Sequence, residues 1–555
     1  MPPGRLRTGQ GCCTGGCRGA LPGAGGERGP TWLALPCARR LPRGRWFLIP
    51  SFPQVPADVM VHVTSLSGPE VLPLGGCQET AAGLAVQVRR PEAFRRLLGA
   101  CPTPTPLVSS LSSSSPPPSV VLHCPGLRGP TAALAPRHLR PVLLADHLAE
   151  VLRAQGVRLV PAPSDEASQE VLRWLRVAWP CGSPGPADAV SSLKRALARS
   201  PYATASEWGP GAATLPDGIL AKVDLKSFVE QQRLEGYDPN LDVLLVTEEK
   251  LQCLVELQQA VLQCVVSNRT AALPGSHFPA SIPFCHAPDC CHVVHVVSCE
   301  EEFRQQQMDL LWRILDPGAH TKHLVCGPVK VPQQEPPAPS GGFLPRGGGN
   351  VGMERAVHVA PLVFSADEAW TEVIDVLTAA AIRFEMLSTA HRSQIVLDLE
   401  DSSISTKGTK SGAFVMYNCA RLATLFDTYQ RAVERGEPQP NGPPPLAATP
   451  GLLLMGEWLL LFNYLLPFPE VLQQAAQLPA PSKGIRITAS TESVCKFLIQ
   501  LSMDFSSYYN RVHVLGEPFP HLFDQMFARL QLLAAVRDTF HSALVTLHLP
   551  PLSQI

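Results

Sequence analysis

Long apolar runs are missing. No stretch of roughly 18 or more apolar residues is free of a charge, a Pro or a Gly, so no segment is suited to cross a bilayer as a helix. Net charge is also missing: 46 Lys and Arg meet 47 Asp and Glu, leaving −1. A global electrostatic field is therefore excluded, and any nucleic-acid contact has to come from a local patch. The 17 cysteines are odd in number and scattered, without the short framework of a disulfide scaffold, and no secretory apolar segment opens the chain. Reduced thiols in a cytoplasmic protein are the reading that follows. Acidic residues are nearly absent from 1–56, where Glu27 stands alone among Gly, Pro, Arg and Cys. That bias resembles a mitochondrial transit peptide, but Gly and Pro break any amphipathic helix, so a low-complexity N-terminal extension is expected.

What is present is enough apolar residue, 45% of 555, to build real cores, and a length prior of roughly 150 residues per domain suggests about three units. After 1–56, residues 57–118 form a small region. "VMVHVTSL" and "GLAVQVRR" alternate as strands do, "PEAFRRLLG" reads as a short helix, and "PTPTPLVSSLSSSSPPPS" (102–119) is a linker. Residues 119–331 carry an α/β pattern. The strand "VVLHC" (120–124) leads through a loop ending in Arg137-His138 to a helix whose Leu143, Leu144, Leu148, Val151 and Leu152 recur at helical spacing before Gly156. "HVVHVVSC" (292–299), a helix over 300–315 and "KHLVCGPVKV" (322–331) make a β-α-β unit, which belongs with a parallel sheet. Low-complexity sequence fills 332–365, and 366–555 is helical, with five amphipathic segments that predict a bundle.

Taken together these segments resemble arginyl-tRNA synthetase. The match is most specific in "GAFVMYNCARLATLF" (412–426), where Phe414, Val415, Tyr417, Ala420 and Arg421 occupy motif positions. "LSMDFSSYYNRVHVL" (501–515) and "ARLQLLAAVRDTFHSALVTLHL" (528–549) are similar to later helices of that family's DALR anticodon-binding domain. The fold implied is a degenerate class I, Rossmann-type α/β domain followed by an all-α anticodon-binding bundle. The departures from the family bear on activity. Its HIGH signature falls on Ala135-Pro136-Arg137-His138, so the first His is lost, Arg137 fills the place where Gly allows close backbone approach, and Pro136 removes a donor N–H. The KMSKS loop expected after "GPVKV" is replaced by low-complexity sequence. Without both phosphate clamps, no synthetase activity is expected, and His138 is read as a remnant that caps or packs.

From about residue 120 to 555, stretches such as "DSSISTKGTKSG" and "SMDFSSYYNRVH" resemble a non-catalytic vertebrate branch of that family, a match that residues 1–56 are not expected to share. This resemblance implies binding of arginine tRNA, together with a partner methyltransferase that makes 3-methylcytidine in the anticodon loop. S-adenosylmethionine would belong to the partner, since no Gly-rich methyltransferase loop is visible here; no cofactor, membrane or DNA is expected of the chain itself.

The candidate RNA-binding residues are Lys407, Lys410, Tyr417, Arg421, Tyr508, Tyr509, Asn510, Arg511 and Arg529. Lys407 and Lys410 lie in a basic loop without the spacing of a Walker loop; phosphate contact and plain solvation are equally consistent with them. Tyr417 and Arg421 are four apart and share a helix face with Phe414, which is assigned to the core. Core packing also accounts for the other two, while contact with an unstacked anticodon base is the functional alternative. Of the adjacent Tyr508 and Tyr509, one is expected inside and the other free to stack beside Arg511. Arg529 matches the family motif, although its stem could equally cover apolar surface. "CHAPDCCH", with Cys285, His286, Cys290, Cys291 and His292, has zinc-ligand residue types without a clean spacing, so no metal is assigned.

Overall fold

A computed structural model describes residues 39–40, 46–49, 73–80, 83–99, 119–128, 136–161, 166–182, 187–205, 216–272, 291–319, 321–330, 368–397, 411–435, 455–478, 484–516 and 519–554. The chain divides into two compact units, 1–90 and 91–555.

The first unit contains an antiparallel sheet of β1 (Arg39–Arg40), β2 (Trp46–Ile49), β3 (Leu74–Thr80) and β4 (Gly83–Val88), in the order β1-β2-β4-β3. The boundary expected at residue 56 falls inside this sheet, since Trp46 to Ile49 pair with Gln87 to Leu84. The run Trp46-Phe47-Leu48-Ile49 has strong strand preference, which its Gly- and Pro-rich flanks obscure in the sequence. "VMVHVTSL" lies outside the described residues.

Helix α1 (Arg90–Gly99) belongs to the second unit from Pro91 onward. Its α/β sheet has the order β11-β10-β5-β6, all parallel, from β5 (Ser119–His123), β6 (Arg158–Leu159), β10 (Cys291–Ser298) and β11 (Thr321–Cys326). Helix α2 (Pro136–Val151) follows β5 and buries Val142, Leu143, Leu144 and Leu148 against one face of the sheet. Between β6 and β10 lie α3 (Glu166–Trp174), α4 (Ala187–Arg199), β7 (Ala203–Ala205), β8 (Ala221–Asp224), α5 (Leu225–Gln232), β9 (Val243–Val246) and α6 (Glu248–Ala272). Strands β7, β8 and β9 make a small antiparallel sheet. This region shares a second core with Leu310, Leu311 and Trp312 of α7 (Glu302–Leu315), which covers the other face of the parallel sheet. Residues Val293 to Ser298 of β10 are all buried, as a central parallel strand covered on both faces requires.

The remaining helices are α8 (Glu368–Leu387), α9 (Gly412–Glu434), α10 (Met455–Leu460) running into a π-turn at Leu461–Leu465, α11 (Phe468–Ala475), α12 (Ser493–Tyr509) and α13 (Phe523–Val545). The five expected helical segments are present, and α11 is an addition. The short pair β12 (Val329–Lys330) and β13 (Ile395–Val396) runs parallel; in the chain β12 follows β11 and β13 follows α8. Val415, Met416, Leu498, Leu501, Val536 and Phe540 interlock in the bundle, with Phe505 meeting Phe540 edge-on at 6.2 Å between ring centroids. Burying each such side chain contributes about 1.5–3 kcal/mol. Gly412 lets α9 cross α8 closely: a Cβ there would sit 2.4 Å from the Ala380 carbonyl oxygen.

The bundle and α2 share one core, sealed by a buried ion pair. Arg383 of α8 donates through Nη2 to Asp146 Oδ2 of α2 at 2.7 Å, and it also bonds the carbonyls of Leu175 and Arg176, each at 2.9 Å. His147 Nδ1 lies 2.7 Å from the Thr546 carbonyl, closing the same junction from the C-terminal end.

Candidate nucleic-acid interface

Helix α9 starts cleanly because Ser411, in an extended conformation, accepts the Phe414 N–H at 3.2 Å as an N-cap. From that start the helical period turns Val415, Met416, Cys419 and Leu422 inward and leaves Tyr417 outside at 44% exposure, with Arg421 one turn further on. On α12 the same logic buries Phe505 and Tyr508 and leaves Tyr509 half-buried and Asn510 exposed. The two outer faces meet at Arg421. Its guanidinium carbon lies 4.9 Å from the ring centroid of Tyr417 and 4.9 Å from that of Tyr509. Nη1 donates to Ser506 Oγ at 3.1 Å and Nη2 to Asn510 Oδ1 at 2.8 Å. Each cation–π contact at such a site is worth about 0.5–1 kcal/mol, and the two hydrogen bonds fix the plane of the fork. Tyr417, Arg421, Tyr509 and Asn510 thus form one ordered surface, cationic at its centre and aromatic at its margins. An unstacked base fits such chemistry.

The other candidates are distributed differently. Tyr508 is 2% exposed and donates to Glu457 Oε1 at 3.2 Å; burial pushes its phenol above the ordinary range. Arg529 donates to the same oxygen at 3.0 Å and to the His513 carbonyl at 3.2 Å. Both therefore serve a buried carboxylate and leave the contact surface, a correction to the expectation for these two residues. The reason is Glu457, 1% exposed on α10, which has to be neutralised where it stands. Arg511 is exposed, but its guanidinium folds back onto the Ser507 carbonyl and hydroxyl at 2.9 and 3.1 Å. Phe414 is half-buried rather than a core residue. Lys407 and Lys410 lie outside the described residues, as do Cys285, His286 and Cys290.

At the start of α2 the chemistry is cross-linking. His138 Nε2 is 3.8 Å from Glu301 Oε1, which places a carboxylate beside the helix N-terminus. Arg140 is wholly buried; Nη1 donates to the Gly327 carbonyl at 2.9 Å and Nη2 to that of Ala390 at 2.9 Å. Gly327 itself is wedged, since a Cβ would lie 2.5 Å from the carbonyl oxygens of both Arg392 and Ser393. Burial pushes the Cys124 thiol up and the Cys326 thiol up to about 12, so neither is a ready thiolate nucleophile.

Two family models match, one described as the DALR anticodon binding domain, over residues 415–555, and one as the DALR N-terminal domain, over 16–103. The chain is 47% identical to the DALR anticodon-binding domain-containing protein 3 of Mus musculus, over 97% of this chain and 98% of that protein. It is 38% identical to the Danio rerio protein of the same name, over 95% and 94% respectively. Similarity therefore extends into residues 1–56, contrary to expectation, because low-complexity composition masks it there. Among solved structures, the arginyl-tRNA synthetase of Thermus thermophilus superimposes with a TM-score of 0.50 at 16% identity, covering 90% of this chain and 91% of that one. That likeness concerns the fold.

Proposed function

Because the chain belongs to the family of DALR anticodon-binding domain-containing protein 3, we propose that it is a non-catalytic binder of arginine tRNA whose helical bundle reads the anticodon loop. Tyr417, Arg421, Tyr509 and Asn510 provide the base-contacting surface. The carrying observation is the Arg421 guanidinium held between two tyrosine rings at a solvent-facing junction of two helices. Base specificity arises from stacking and edge hydrogen bonds there, while phosphate contacts set register. Lys407, Lys410 and Arg511 supply positive charge for phosphate contact. In the cytoplasm, the bound tRNA is presented to a partner methyltransferase, which holds S-adenosylmethionine and forms 3-methylcytidine.

The start of α2 supports the non-catalytic half of the reading. Synthetase chemistry needs donors aimed at the triphosphate, where developing charge is stabilised. Here Glu301 stands beside His138, the Arg140 guanidinium is committed to backbone carbonyls, and the sequence carries neither signature intact. Filter binding of arginine and non-arginine tRNA transcripts, paired with arginine-dependent ATP–pyrophosphate exchange, tests both halves. Selective binding without exchange is the expected result. Exchange above a protein-free control would overturn the non-catalytic reading, and equal or absent binding would overturn the tRNA reading.

A further inference from the structure

Three buried histidines stand in one row across the parallel sheet. His123 of β5 pairs in register with His295 of β10, and His295 with His323 of β11. In-register residues of parallel strands point to the same face, and here that face is the one beneath α7. The rings are nearly perpendicular in sequence, with centroids 5.0 Å apart for the first pair and 5.3 Å for the second. Asp309, projecting from α7, completes the group. His295 and His323 are 0% exposed and Asp309 1%.

The hydrogen bonding at this cluster is half-finished. His123 Nδ1 and His295 Nδ1 are 2.9 Å apart, so one donates to the other. With His295 as donor, its Nε2 carries a lone pair and points to no hydrogen-bond partner. Both ring nitrogens of His323 are equally without one. A buried polar nitrogen without a partner is costly and calls for an explanation. Asp309, by contrast, is held in orientation by the hydroxyls of Tyr237 on one oxygen and Thr321 on the other.

We propose that His295, His323 and Asp309 bind a divalent cation of the zinc class, which ties β10 and β11 to α7. One ligand atom from each lies within 4.8 Å of the others, and His323 Nε2 is 3.9 Å from an Asp309 oxygen. A tetrahedral zinc with bonds of about 2.0–2.1 Å sets its ligand atoms about 3.4 Å apart, so a small closure of the side chains fills three of its four positions and leaves the fourth to a water. Two imidazoles and a carboxylate are the donor types zinc accepts, and two of the three ligands are oriented from outside: His295 by His123, and Asp309 by Tyr237 and Thr321, while the outer nitrogen of His323 has no hydrogen-bond partner among the described residues. A proton on His323 would serve Asp309 but leave His295 Nε2 unmatched. Complete burial denies a substrate access, which makes the role structural. Nearby Arg313 and Arg486 offset the charges of Asp309 and Glu302 in number, so the ion adds uncompensated charge and binds less tightly than at a thiolate site.

The test is metal analysis of the full chain, purified without chelators or metal resin, followed by replacement with Co2+ and absorption spectroscopy. The thiol-rich "CHAPDCCH" tract is controlled with a Cys285→Ser, Cys290→Ser double variant. About one zinc per chain is expected, retained in the double variant and lost from His323→Gln and Asp309→Asn. The cobalt form should show tetrahedral d–d bands without a thiolate charge-transfer band. A failure of either ligand variant to fold leaves the wild-type cobalt spectrum as the deciding measurement. Less than about a tenth of an equivalent of metal with no cobalt spectrum would overturn the proposal. So would a thiolate band that disappears in the double variant.

Discussion

Arg383→Met removes the charge that seals α2 to the bundle while keeping most of the side-chain volume. In the wild type, Arg383 is 0% exposed and donates to one carboxylate and two carbonyls. After substitution, Asp146 retains, among the described residues, the Ala178 N–H at 3.1 Å and His548 Nε2 at 3.5 Å, and the Leu175 and Arg176 carbonyls lose their bonds to this side chain. Breaking a buried pair from one side costs about 3–5 kcal/mol, because the surviving charge is left uncompensated. Against a typical stability of about 5–15 kcal/mol, that is a large fraction. Equilibrium urea unfolding, followed by tryptophan fluorescence, reads the loss as a lower midpoint. The double variant Arg383→Met, Asp146→Leu should recover a substantial part of it, since no lone charge remains. A loss below about 1 kcal/mol for the single variant, or a double variant as unstable as the sum of both single changes, would refute the assignment of this pair as the seal.

Arg421→Ala should weaken tRNA binding by roughly 5- to 150-fold, from about 1–3 kcal/mol per stacked base, and lower the melting temperature modestly as its contacts to Tyr417, Tyr509, Ser506 and Asn510 are lost; unaltered affinity in filter binding would remove the patch from the interface. Tyr508→Phe deletes only the bond to Glu457, so it should cost about 1 kcal/mol of stability in urea and leave tRNA affinity alone. Gly412→Ala should destabilise by about 1–3 kcal/mol, read as a lowered thermal midpoint, because the new methyl meets the Ala380 backbone. Burial lowers the His147 pKa from 6.5 to about 4, so unfolding takes up a proton between those values. Stability is then fully present above about pH 6.5 and falls by about 3 kcal/mol towards pH 4; His147→Asn, which preserves a donor to the Thr546 carbonyl, should flatten that slope in pH-resolved thermal melts.

The sequence revealed most where one physical signal dominated. The helical period of α9 and α12, the buried run of β10 and the Leu stripe of α2 could all be read as local patterns. So could the division between adjacent tyrosines, though not which of the two turns inward. That choice is set by Glu457, distant in sequence and buried, which draws both Tyr508 and Arg529. Arg140 and Arg383 look like ordinary surface arginines because their carbonyl partners belong to other segments. The sheet β7-β8-β9 is built from strands of 3 or 4 residues, too short to show alternation. The histidine row left a trace: "VVLHC", "HVVHVV" and "KHLVC" each carry a His within an apolar strand. Only register places the three side by side.

Sequencing of RNA crosslinked in cells to the intact chain decides whether it carries a tRNA-gripping surface without aminoacylation chemistry. Arginine tRNAs should be enriched, with crosslinks concentrated in the anticodon loop and lost from a Tyr417→Ala, Arg421→Ala variant that still folds. No tRNA enrichment, or crosslinks confined to the acceptor end and indifferent to that variant, would contradict the account.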